Sequence, residues 1–231
     1  MTDRTAMVAR LAELAASNGS HSHLAQRLCE ASRLIVGASG AWITVENATQ
    51  SRTTLAATDH VAARLEDFQD VLGEGPCQDA FRAGEPATAP VTDAPSATWP
   101  EFTRAAWENL GRMTVYAFPM HPARETFGVL SFYFTTAVEL AEPASSVQFL
   151  ADAVGAALLR DPPDAGETVP EGMWSARVEV HMATGMVVAQ LKVSPGDALA
   201  ILRAHAYAHD VTLAEIARRV VNRELDFRGE P

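Results

Sequence analysis

Apolar residues at the start of the chain recur at the spacing of a helix. Met7, Leu11 and Leu14, then Leu24, Leu28 and Ile35, each share one side of a 3.6-residue repeat, so two amphipathic helices are expected there. The period then shortens. "SGAWITVEN" and "RTTLAATD" read as paired strands around a turn at Asn47–Ser51. A short helix about Val61–Val71 follows, and "LGEGPCQDAFRAGEPATAPV" sets a brief helix and then a strand between glycines and prolines. "TWPEFTRAAWENLG" returns to helix. "MTVYAFPMH" and "TFGVLSFYF", rich in β-branched and aromatic residues, form a hairpin-like pair, and Val147, Leu150, Val154 and Leu158 are the stripe of a closing helix. This order predicts an α+β fold with an antiparallel sheet flanked by helices.

The pattern breaks at "DPPDAGETVP", where three prolines, a glycine and three acids favour an extended connector. Domains are therefore expected at 1–160 and 171–231, joined by a linker at 161–170. The second domain is helical throughout. Trp174, Val178, Met182 and Met186 mark its first helix, with both methionines expected in the core. Ser194 before Pro195 supplies a cap and a first helical residue for the next, with Asp197 completing a box-like arrangement. Thr212 and Glu215 form a capping box for the third, whose core positions are Leu213, Ile216, Ala217 and Val220. Three helices in about sixty residues make a marginal core. Such a bundle is expected to lean on another domain or a partner subunit.

Composition narrows the setting. The chain has 231 residues, enough for one well-packed domain and a small second one, and no apolar run reaches the length of a membrane span. "MTDRTAMVARLAELAA" lacks the unbroken apolar block of a signal peptide, so the expected compartment is the cytoplasm, with no membrane partner. Cys29 and Cys77 lie far apart and in no CxxC, which argues for reduced thiols and against a disulfide framework or a cysteine zinc site. The net charge of −11 opposes nucleic-acid binding. Its distribution does not. Met1 to Pro170 holds 11 basic and 21 acidic residues, whereas Glu171 to Pro231 holds 7 and 8, so almost all the excess negative charge lies in the first part.

The stretch "HMATGMVVAQLKVSPGDALAILRAHAYAHDVTLAEIARRVVNREL" resembles an ANTAR domain, the three-helix RNA-binding module of bacterial transcription antiterminators. The resemblance spans nearly all of Val178–Phe227 and rests on ATGM, DAL, LRAHAYAH and LAEIA. "LGEGPCQDA", "WPEF", "AFPM" and "FGVLSFYF", in that order, resemble the GAF sensor domain that actinobacterial regulators place before ANTAR. Thr184 stands where many ANTAR domains carry a basic residue, and "HDVT" is acidic at the third helix. The resemblance implies a homodimeric regulator without enzymatic activity or cofactor. Its paired ANTAR modules would hold hairpins of a leader transcript so that an overlapping terminator cannot form; RNA, not DNA, is the expected partner.

RNA proteins of this kind read unstacked loop bases through hydrogen bonds, stacking and phosphate contacts. Lys192 and Arg203 lie off the expected apolar stripe and are candidates for phosphates or base edges, while His205 and Tyr207 are candidates for stacking. Arg218, beside Arg219, is a further candidate that reads equally as a solvated face. Gly185 and Ala204 read as helix-packing positions. In the first domain Trp42, Cys77, Trp99, Tyr116 and Phe118 are the candidate lining of a small-ligand pocket, set against the plainer reading of core aromatics and a structural cysteine. The GAF fold also houses a thiol-dependent sulfoxide reductase, but that chemistry needs resolving thiols, and Cys29 sits on an apolar-stripe helix. His60 and His121 are the candidate axial ligands for a haem; a lone histidine is more often a surface group, and no metal site is expected. The alternative to RNA binding is a ligand-binding or protein-interaction regulator.

Overall fold

The computed structural model describes residues 4–17, 22–46, 52–122, 125–135, 140, 142–160, 171–209 and 211–228. The chain divides into two compact units, Met1–Gln69 with Glu74–Glu167, and Asp70–Gly73 with Thr168–Pro231. The turn at Asn47–Ser51 and the connector at 161–170 lie outside the described residues.

The first unit runs α1 (Arg4–Ser17), α2 (Leu24–Val36), β1 (Gly40–Glu46), β2 (Arg52–Ala57), α3 (His60–Leu72), α4 (Pro76–Ala83), β3 (Ala87–Val91), α5 (Pro100–Leu110), β4 (Met113–Met120), β5 (Gly128–Phe134) and α6 (Ala144–Arg160). The strands form one sheet in the order β2-β1-β5-β4-β3, and each neighbouring pair is antiparallel. Both expected pairs, β1 with β2 and β4 with β5, are present.

Alternation along the strands sends residues to two helical layers. Ala41, Ile43, Phe118, Met120, Leu130 and Phe132 pack against Leu11, Leu28, Ile35, Leu150, Val154 and Leu158 of α1, α2 and α6. Trp42, Ala117 and Ser131, cross-strand neighbours in register, face the other way, toward α3 and α4. Strand β5 is buried at all seven positions, which explains its unbroken apolar run. Its first residue must be glycine for a different reason: a Cβ at Gly128 would run into the carbonyl oxygen of Thr44 on β1.

A buried polar network fastens the second layer. The Trp42 indole N–H donates to Glu66 Oε2 (2.8 Å), and Arg52 donates to Glu66 Oε1 (2.9 Å), joining β1, β2 and α3. The ion pair is nearly dry, with side-chain exposures of 14% for Arg52 and 3% for Glu66. The side-chain amide of Gln69, one turn along α3, extends the network to Glu66 Oε2 at 3.4 Å.

The second unit is the expected three-helix bundle: α7 (Glu171–Leu191), α8 (Pro195–Ala208) and α9 (Leu213–Val221). Ser194 Oγ accepts the Asp197 N–H, and Thr212 Oγ1 accepts the Glu215 N–H, as the capping patterns require. Ala183 and Val187 of α7, Ala198, Leu202 and Ala206 of α8, and Leu213, Ile216, Ala217 and Val220 of α9 form the core, which Leu225 and Phe227 close from beyond α9. Met182 is a correction. It was expected in the core, yet it is 51% exposed, and Met186 is half-buried. Helix α7 is apolar on most sides, so its pattern selects no face. Small Ala183 turns inward instead, because it admits the closer helix approach. Trp174 and Val178 lie among positions whose side chains are outside the described set.

Removing one partner of a buried ion pair strands the other. Glu66→Ala is expected to destabilise the first unit by about 3–5 kcal/mol, while the double substitution Arg52→Met, Glu66→Met loses clearly less. Urea unfolding followed by tryptophan fluorescence measures both; equal losses would show that the pair does not act as a unit.

Candidate nucleic-acid interface and candidate ligand pocket

Within the first unit, "GEGPC" carries the chain from α3 into α4. Gly75 caps α4 at φ 143°, a conformation glycine tolerates, and a Cβ there would collide with the Gln69 side chain. Pro76 opens the helix and Cys77 follows it inward. The Cys77 N–H donates to Gln69 Oε1 (2.8 Å), the Gln69 amide donates to Cys77 Sγ (3.1 Å), and Sγ lies 3.1 Å from Ser131 Oγ. Burial, with the nearby Glu66 charge adding to it, pushes this thiol up to about 12. Burial raises the Cys29 thiol as well, and Cys29 packs in the layer on the opposite face of the sheet. Complete burial disfavours the thiolate at both positions, and the sheet separates them.

The five proposed pocket residues do not line one cavity. Trp42 and Cys77 are completely buried on the α3/α4 side. Trp99, half-buried at the start of α5, donates its indole N–H to Asp79 Oδ2 of α4 (2.9 Å). Tyr116 and Phe118 project to the other face, where Tyr116 meets Phe134 edge-on (5.7 Å) and Phe118 meets Phe132 (6.2 Å). Strand alternation forces this division: residues 116 and 118 share a face that 42, paired in register through 131 with 117, cannot share. His60 is exposed, while the backbone N–H of His121 donates to Asp152 Oδ1 (2.9 Å). Among the described residues no three His, Cys, Asp or Glu side chains gather as metal ligands would.

On the bundle, the five RNA candidates occupy separate places. Burying Ala198, Leu202 and Ala206 leaves Arg203 and Tyr207, four residues apart, on one flank of α8. Tyr207 is 53% exposed; Arg203 is half-buried with its Nε out of water. His205 leans the other way, edge-on to Phe227 (5.2 Å) and stacked on His209 (4.3 Å). Lys192 is exposed just beyond α7 at φ 59°. Arg218 is exposed but tied to Glu215 at 2.5 Å, three residues back on its own helix.

The bundle also contains a cleft of about 410 Å³ that involves none of these five residues. Met186 and Gln190 of α7 form one side, and Arg223, Leu225, Asp226 and Arg228 from the segment after α9 form the other. Periodicity could not reveal it, because its walls meet across 37 residues, where the Phe227 N–H donates to Gln190 Oε1 (3.2 Å). One local signal was available: "VVNREL" ends a helix with arginine at the place where glycine is usual.

The GAF domain family model matches residues 20–159, and the ANTAR domain model matches residues 174–221. The chain therefore belongs to the GAF domain family, as a regulator in which an ANTAR domain follows the GAF domain. Among solved structures it is similar to the GAF domain of A. aeolicus nlh2 in an inactive state, at 11% identity over 68% of this chain and 95% of that one, with a TM-score of 0.45. It is likewise similar to the phycocyanobilin-bound GAF domain of a cyanobacterial phytochrome (10% identity, 72% and 100%, TM-score 0.49) and to the second GAF domain of DevS from Mycobacterium smegmatis (15%, 68% and 94%, 0.37). No curated protein is similar enough to count as a relative. Among the described residues no single helix is long and apolar enough to cross a membrane.

The state of Cys77 gives a direct test. Its folded-state value lies above the ordinary 9.0, so the stability it contributes is complete below pH 9 and is lost as pH rises toward 12. At pH 8 iodoacetamide should leave Cys77 unmodified in the folded protein and label it in urea, as read by peptide mass spectrometry. Rapid labelling of the folded protein would restore a reactive role.

Proposed function

We propose that this chain is a cytoplasmic RNA-binding transcription antitermination regulator that acts by binding and not by turnover. Its GAF unit receives an input, a small ligand or a partner protein, and its ANTAR unit holds hairpins of leader transcripts. The carrying observation is the ANTAR match at 174–221, which falls on a capped three-helix bundle. Charge supports this reading, because the residues from 171 onward are nearly balanced while those before carry almost all the acidic excess. Tyr207 and Lys192 are exposed candidate contacts, suited to base stacking and to phosphate. Arg203 divides its role, its aliphatic stem and Nε held against the bundle and its fork at the margin.

A homodimer fits the helical layer of the GAF unit. Val8 on α1, Leu34 on α2 and Leu159 on α6 are 42%, 41% and 47% exposed, on helices that pack together on one side of the sheet. A second copy of the same layer would cover them, and two-fold pairing would present two ANTAR modules to paired hairpins.

Crosslinking in cells followed by RNA sequencing should recover leader segments with two hairpins ahead of terminators. Recovery of proteins without RNA would replace this reading with the protein-interaction one. Tyr207→Ala should weaken binding of a recovered hairpin by about 1–3 kcal/mol without lowering the melting temperature, measured by fluorescence anisotropy. Leu34→Lys combined with Leu159→Lys should shift the protein from dimer to monomer in light scattering; a wild-type protein that is monomeric at micromolar concentration overturns the dimer.

A further inference from the structure

Two non-glycine residues among those described adopt left-handed backbone angles, Lys192 at φ 59° and Arg223 at φ 62°. That region brings Cβ against the following carbonyl, which is why glycine normally fills it. Elsewhere the chain follows the rule: α2 and α4 end on Gly37 and Gly84 in the same conformation. Both exceptions are basic, and both lie just past a bundle helix. At Arg223 the turn itself needs only the backbone. The N–H groups of Glu224 and Leu225 return to the Arg219 carbonyl (2.7 and 3.1 Å), which brings Leu225 and Phe227 back into the core. Glycine would serve this geometry better than arginine. The guanidinium, by contrast, has no hydrogen-bond or ion-pair partner among the described residues, and it lines the cleft.

The remainder of the cleft is built for a particular kind of ligand. Met186 and Leu225 offer an apolar wall. Gln190 is fixed through its oxygen by the Phe227 N–H, and its amide nitrogen has no protein partner among the described residues, so a donor remains available beside that wall. Arg228 is anchored by Asp226, to which its Nε and one terminal nitrogen donate at 3.1 and 2.6 Å. Two guanidinium groups against one carboxylate exclude a cation as the ligand. A simple inorganic anion would leave the apolar wall unused, and a purely apolar ligand would leave Arg223 unused. A flat ring with an acceptor edge, joined to a phosphate, uses the apolar wall, the Gln190 amide and Arg223 together. At about 410 Å³ the cleft lies within the size range of small-molecule sites.

We propose that the cleft between the end of α7 and the turn after α9 seats one unstacked nucleotide of an RNA loop, its base against Met186 and Leu225, its acceptor edge at Gln190 and its phosphate on Arg223. This rests on the RNA-binding reading above and deepens it. A base paired in a stem cannot enter, so the site selects loops over duplexes.

The test uses the full chain with a pool of RNA hairpins of one stem and a randomised loop, and the same stem as a blunt duplex. Arg223→Gly relieves the left-handed turn while deleting the charge. It should melt no lower than wild type, yet bind the hairpin pool at least about tenfold more weakly, with a salt dependence shallower by roughly one ion. Met186→Trp, which fills the cleft, should weaken hairpin binding and leave duplex binding unchanged. In a ¹³C-methyl methionine spectrum, nucleoside 5′-monophosphates should shift the Met186 signal of wild type and not of Arg223→Gly. If wild type binds the pool and both variants bind it equally well, the cleft assignment is wrong while the RNA reading stands. If wild type binds neither pool nor duplex, the RNA reading fails and the proposed loop site with it. A stable Arg223→Gly variant with full hairpin affinity would by itself overturn the role of Arg223.

Discussion

Strand β5 sits at the centre of the sheet with helices on both faces, and the first unit is arranged around the need to cover it. A strand buried on both sides cannot alternate apolar with polar, so "GVLSFYF" is nearly all apolar. Two of its residues on the α3/α4 side carry hydroxyls: Tyr133 donates to Asp59 beside the start of α3, and Ser131 has to find a partner deeper inside. It finds the Cys77 thiol, which Gln69 holds in turn. The polar network from Arg52 through Glu66 and Gln69 to Ser131 thus follows from placing a strand where water cannot reach it. On the opposite face Leu130 and Phe132 belong to an apolar cluster with residues of α1, α2 and α6, and the buried Ser32 of α2 is satisfied within its own helix by the Leu28 carbonyl.

Much of this was legible in the residue pattern. The two strand pairs, the helix near His60–Leu72 and the closing helix were all readable, because period and turn residues agree there. The caps at Ser194 and Thr212 were readable for the same reason, since a hydroxyl followed three residues later by an acid is a local chemical fact. What could not be read depends on contacts distant in sequence. Residue type alone puts Tyr116 and Phe118 with Trp42, whereas register places them on opposite faces. The stripe of Trp174, Val178, Met182 and Met186 predicts Met182 inward, whereas the bundle closes on Ala183 and Val187 and leaves Met182 outside. The cleft beside Gln190 needs a segment from the far end of the bundle to exist at all.

Sensor core and bundle solve the burial of polar groups differently. In the sensor core, charges are taken inside and neutralised by one another, which rigidifies a layer but leaves few open valences. In the bundle the core is almost purely aliphatic, small residues such as Ala183, Ala198 and Ala206 bring the helices together, and polar groups stay at the margins. Such a margin offers donors and rings without a large electrostatic field. That suits a protein whose overall charge is strongly negative, since recognition then depends on a few well-placed groups more than on bulk attraction.

The family-matched segment ends at residue 221, yet Leu225 and Phe227 belong to the bundle's core. The helices and the segment that completes them are therefore separable in sequence but not in folding. Around these two buried anchors the chain alternates, with Asp226 between them and Glu224 and Arg228 on either side all exposed. An apolar residue at every second position locks the path of the chain, and the residues between are free of that duty. A shared helical module can in this way carry an edge whose chemistry is its own, since exchanging the outward residues leaves the clasp that closes the fold untouched.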